Sequence, residues 1–178
     1  MKRQGQLNLS RHTQAVAFNG LLGALALCLS AFEGMLPPVP VLPPGAKLGL
    51  SNLVTMYAAG AVGLGPALCI AVLKGLFAGM MRGVTALMMS LAGGMLSTLV
   101  MWLLLRLKSH PFGMVGLGVA GALSHNAAQL CVAALLTTPA VAWYIPGLVL
   151  FGVFSGVLTG LVLRVIMPLL NKLRPGEP

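Results

Sequence analysis

The stretch Ala61-Val-Gly-Leu-Gly-Pro-Ala-Leu68 decides how many helices this chain has. Gly63 and Gly65 suit the end of one helix, and Pro66 suits the start of the next, since a proline in a first turn gives up an N–H that has no partner there. Read as a break, the stretch separates two short apolar segments at 48–64 and 66–81. Read as a kink, it leaves one long helix, and the chain has five segments instead of six.

Both segments belong to a wider pattern. Of 178 residues, 58% are apolar, only 7% are charged and 23 are glycine, a composition unlike that of a soluble domain with a solvated surface. Apolar runs of roughly 16 to 25 residues have the length a helix needs to cross about 30 Å of hydrocarbon. They fall at 15–36, 48–64, 66–81, 84–105, 115–136 and 141–167. An alternating ten-residue pattern, which a membrane barrel would need, is absent. The expectation is an all-α membrane protein: one domain of six transmembrane helices over 15–168, with tails at 1–14 and 169–178.

The basic residues favour six helices over five. With six, Lys2, Arg3 and Arg11, then Arg106 and Lys108, then Arg164, Lys172 and Arg174 all fall on one side, which the positive-inside rule makes the cytoplasm. With five, Arg106 and Lys108 would lie opposite the amino terminus. Both termini are therefore expected in the cytoplasm of a multi-pass protein of the bacterial inner membrane. Trp102, Trp143 and Tyr144 then fall near the two interfaces, as aromatic belts do. The net charge of +9 is mostly this topological pattern, and no aromatic or basic stripe accompanies it, so nucleic acid is not an expected partner.

The apolar run after "MKRQGQLNLSRH" is about 22 residues long and ends in "FEGMLPP" without a small-x-small site, so it reads as a retained span and not as a cleaved signal peptide. Cys28, Cys69 and Cys131 lie apart within apolar spans and suggest neither disulfides nor zinc, only packing.

Setting the topological charges aside leaves Lys47, Lys74, Arg82 and one acid, Glu33, all mapping to the outer half. Lys74 lies roughly 12 Å along the third helix at about 1.5 Å per residue. A charge near the bilayer centre costs on the order of 2.5 to 3.5 kcal/mol, so Lys74 is expected to face a cavity or a partner. Lys47 and Arg82 read equally as loop charges reaching water, and the alternative for Lys74 is a purely structural ion pair with Glu33. That pair would still leave surplus positive charge, which favours an anionic ligand.

The fifth helix contributes "SHNAAQL", in which His125 and Gln129 share a face and Asn126 lies one step round. These groups either glue the bundle, at about 0.6 kcal/mol per contact, or line a pocket. Ser51, Asn52 and Thr55 at the start of the second helix admit the same two readings. Together they suggest a polar, net-positive pocket open to the outside. In "PPGAKLGLSN" (43–52) the prolines would stiffen the first loop and hold Lys47 over its mouth.

"PPGAKLGLSNLVT", "LMMSLAGGMLS" and "SHNAAQLCVAALL" resemble the bacterial Gx transporters, a family also known as heptaprenyl diphosphate synthase component I, over about residues 15–168. That family is similar to the substrate-binding S components of energy-coupling factor transporters. The resemblance implies a six-helix protein that binds a small molecule from outside and works with a transmembrane coupling protein and ATPases. It carries binding roles onto Lys47, Asn52, His125, Asn126 and Gln129, while Glu33, Lys74 and Arg82 rest on the charge argument.

The family's enzymatic name meets a chemical obstacle. Prenyl elongation normally holds Mg²⁺ on aspartate-rich sites, and this chain has no aspartate. Two acids in all exclude a carboxylate metal cluster and a Ser-His-acid triad, and no Walker motif is present. No cofactor or metal is expected, and any ATP-driven step belongs to a partner. On the first helix, Gly20, Ala24 and Cys28, with Ala15, Asn19 and Gly23 on the next ridge, form a small-residue stripe. It serves either packing within the bundle or docking of the coupling protein, as the resemblance to S components implies. Two functions remain: a transporter subunit binding a small anionic or amphipathic substrate, or a non-catalytic membrane anchor of a polyprenyl diphosphate synthase.

Overall fold

The computed structural model describes residues 2–35, 49–107, 113–137 and 139–174. They form six α-helices: α1 (Lys2–Met35), α2 (Leu50–Ala61), α3 (Leu64–Arg82), α4 (Val84–Arg106), α5 (Met114–Leu136) and α6 (Ile145–Leu173), with a 3-10 turn at Pro139–Tyr144 before α6. The break at 63–66 is present. Val62 and Gly63 both donate to the Ala58 carbonyl, at 2.9 and 2.8 Å, and Gly63 adopts φ 126°, open to glycine alone at low cost. Pro66 is the third residue of α3, where its missing N–H costs nothing. Gly83, at φ 88°, makes a one-residue junction between α3 and α4.

Five helices are long and apolar enough to cross a membrane: Thr13–Met35, Leu64–Arg82, Val84–Arg106, Met114–Leu136 and Ile145–Leu173. The sixth, α2, has 12 residues, or about 18 Å at 1.5 Å per residue, and covers little more than half of a ~30 Å core. The sequence reading of 48–64 therefore overstates this helix by several residues. α2 is instead the hub of the bundle. It packs against α1, α3, α4, α5 and α6, and its residues Leu53–Ala59 are all buried.

The core lies around the carboxyl-terminal half of α2. Phe18 and Leu22 of α1, Ile70 of α3, Met101 of α4 and Leu163 of α6 close over Val54 and Tyr57. The rings of Phe18 and Tyr57 meet edge to face at 6.4 Å, and the Tyr57 hydroxyl donates to Asn171 Oδ1 at 3.2 Å. Phe32, Leu103, Leu150, Phe154 and Val165 are exposed, which suits a bundle whose outer surface meets lipid chains.

Helices α5 and α6 touch backbone to backbone. A Cβ added at Gly156 would lie 2.4 Å from Val119 Cα, and one at Gly160 would lie 2.6 Å from Val115 Cα. This close approach is what small residues permit between membrane helices. Gly94 similarly lets α4 approach Ala71 of α3.

Several local expectations change. Helix α1 continues back to Lys2, so most of the 1–14 tail is helical backbone, because its residues contain no proline to stop the helix. Cys28, Cys69 and Cys131 are exposed on the outside of the bundle and do not pack within it. Pro146 opens α6 in its first turn and does not bend it, whereas Pro168 lies inside the helix.

Candidate functional site

The amino-terminal end of α2 stops short of the longer helices around it, and the space beyond it is a cavity of about 280 Å³. Its walls come from Ser30 and Glu33 of α1, Gly49, Ser51 and Asn52 at the start of α2, Lys74 and Arg82 of α3, Thr85 and Ser90 of α4, His125, Asn126 and Gln129 of α5, and Ser155 of α6. Arg82 and Thr85 are exposed and mark the mouth, while Lys74 is only 4% exposed. Below Asn52 the bundle narrows. The void beside Met56 and Met101 measures about 10 Å³, the lower limit for one water.

Glu33 caps α2. Its carboxylate accepts the Leu50 N–H and, at 3.1 Å, the Ser51 hydroxyl, so a negative charge meets the positive end of the helix dipole. Lys74 Nζ donates to Asn52 Oδ1 at 2.8 Å, which leaves the Asn52 amide NH₂ as a further donor group of the wall. On the opposite wall, Asn126 Nδ2 donates to the Leu148 carbonyl of α6 at 3.1 Å. That bond fixes the amide as a strut between α5 and α6. Gln129 is 8% exposed and lines the cavity.

His125 lies half-buried against α4. An added Cβ at Gly93 would lie 2.8 Å from its Cε1 and 2.9 Å from its Nδ1, so the imidazole occupies space that glycine alone leaves open. Gly93 thus serves the site indirectly, by making room for His125.

Seven of the eight substrate-site residues singled out from the sequence line this one cavity: Glu33, Asn52, Lys74, Arg82, His125, Asn126 and Gln129. Lys47 lies outside the described residues, as does most of the proline-rich loop. Thr55 is not part of the wall, since its hydroxyl donates to the Asn52 carbonyl of its own helix at 2.9 Å. Sequence reasoning did not single out Ser30, Thr85 or Ser155. Ser30 was within reach, because it lies three residues before Glu33 and so shares its face of α1. An isolated serine in α6 carries no such hint.

The helix-one stripe divides. Ala15, Gly20 and Ala24 are exposed, and nothing lies within 4 Å of a Cβ added at Gly20. Gly23 is buried against Leu73 of α3, and Asn19 is half-buried with its Oδ1 unpartnered among the described residues.

Two cationic side chains and one carboxylate, already engaged with α2, give the cavity a net positive lining rich in hydrogen-bond donors. This chemistry suits an oxyanion. Among the described residues, no group of three or more His, Cys, Asp or Glu is placed to hold a metal ion.

A model of the family described as heptaprenyl diphosphate synthase component I matches residues 22–166, which include every described wall of the cavity. No protein of curated function and no solved structure matches the chain.

Proposed function

The chain belongs to the heptaprenyl diphosphate synthase component I family, and from that premise we propose that it is a non-catalytic, substrate-binding membrane subunit of a bacterial transporter, with the cavity as its binding site. The substrate is a small anionic or amphipathic molecule taken from outside the cell. Both termini lie in the cytoplasm of a multi-pass inner-membrane protein, and the coupling protein and ATPases that supply energy are separate chains. The observation that carries this reading is the convergence of residues from all six helices, Lys74 and Arg82 among them, on one cavity.

A second reading is favoured by the family's description, which names a synthase. In that reading the chain is a membrane subunit or anchor for a soluble polyprenyl diphosphate synthase. Catalysis would still belong to the partner, since a chain with no aspartate cannot assemble the carboxylate cluster that holds Mg²⁺ against a diphosphate.

Purification from native membranes in mild detergent, followed by mass spectrometry of co-purifying proteins, separates the two. A transmembrane coupling protein with ATPases supports the transporter subunit. A soluble, aspartate-rich prenyl synthase overturns it in favour of the anchor.

A further inference from the structure

The polar cavity has an apolar neighbour. Between α1 and α3, a second cavity of about 160 Å³ is lined by Gly34 and Met35 on one side and by Phe77, Ala78 and Met81 on the other. Ser30 and Arg82 border both spaces. The lining thus differs between the two spaces, Lys74, Asn52 and Gln129 in the first and aromatic and aliphatic side chains in the second, with the Arg82 guanidinium shared by both.

We propose that the ligand is an amphipathic anion occupying both spaces, its oxyanion head facing Lys74 and Arg82 and a short apolar tail of about five carbons lying in the annex between α1 and α3. This rests on the anion-binding reading above and adds the substrate class to it. Three observations support it. The polar cavity alone, at 280 Å³, lies just below the ~300–1,000 Å³ typical of small-molecule sites, and the annex brings the pair within that range. At about 30 Å³ for a water-sized group, the annex has room for about five methylene-sized groups. Arg82 can turn its charge toward the head while its aliphatic stem lies against the tail, as long basic side chains do at such boundaries.

The probes are methyl phosphate and n-pentyl phosphate, titrated calorimetrically into the full-length protein in detergent. Each buried methylene is worth about a fourfold gain in affinity, so pentyl phosphate is expected to bind wild type at least tenfold more tightly than methyl phosphate. The key variant is Gly34→Phe, which fills the annex. A Cβ at Gly34 meets nothing within 4 Å, and Gly34→Leu offers a smaller filler with the same purpose. The expected result is loss of the pentyl preference with methyl phosphate binding unchanged.

Equal affinity of wild type for the two probes, with Lys74→Ala still weakening both, overturns the tail and leaves the anion site standing. A pentyl preference that survives in Gly34→Phe and Gly34→Leu overturns the annex as its location. Failure of wild type to bind either phosphate overturns the oxyanion reading, and this inference with it.

Discussion

Lys74 Nζ of α3 donates to Asn52 Oδ1 at the amino-terminal end of α2, 2.8 Å away, and so joins the shortest α-helix of the bundle to the one that carries its buried lysine. Both residues line the cavity. It also orients the Asn52 amide, because an oxygen that accepts from Lys74 places the NH₂ group elsewhere along the wall.

Replacing Lys74 with alanine should weaken anion binding by roughly 10- to 100-fold, the range of a charge-assisted hydrogen bond of about 1.5–3 kcal/mol. Titration of purified variant and wild type with the same anion checks this. Unchanged affinity in a folded Lys74→Ala protein would remove Lys74 from the site.

Glu33→Ala should loosen the start of α2. It removes the acceptor of the Leu50 N–H and Ser51 hydroxyl, and losses of this kind cost about 0.5–2 kcal/mol. Glu33→Gln retains an acceptor and should fall between the two. Thermal melts in detergent rank the three proteins, and a Glu33→Ala melt equal to wild type would contradict the capping role.

Gly93→Ala should impair binding more than folding. The new methyl group collides with the His125 ring, at 2.8–3.0 Å from three of its atoms, while the ring faces a cavity into which it can shift. Affinity should drop with the melting temperature nearly unchanged. A variant that loses stability but keeps its affinity would show that the ring matters only for packing.

Gly156→Ala and Gly20→Leu should behave in opposite ways. The first drives a methyl group into the Val119 backbone at 2.4 Å, so α5 and α6 must separate, at a cost of about 1–3 kcal/mol or more. The second adds bulk where nothing lies within 4 Å, leaving the melt unchanged but blocking close approach of another helix. Retention of a co-purifying coupling protein by folded Gly20→Leu would rule out docking through this face.

Most of the helical framework was legible from the sequence because membrane helices are fixed by local properties. A segment in lipid must satisfy its own backbone, so length, hydropathy and a break such as that at Gly63 and Pro66 locate it without reference to neighbours. The gathering of polar residues was legible in outline for a related reason. A charge such as Lys74, too costly to face hydrocarbon, must turn inward, and helical spacing then brings Asn126 and Gln129 round with His125.

What the sequence could not decide depended on which helix lies against which. The apolar run at 48–64 looks the same whether it spans the bilayer or ends within the bundle, and only contact with five neighbours identifies α2 as a short central helix. Charge alone singled out Glu33 and Lys74, whereas their hydrogen bonds to the start of α2, Glu33 with Leu50 and Ser51 and Lys74 with Asn52, depend on where α2 lies. Gly20 and Gly23 looked alike in a stripe, yet one faces outward and the other packs on Leu73. Sequence period fixes the angle between residues on one helix, whereas the rotation of that helix toward its neighbours is set by side-chain packing, which exists only once the bundle has formed.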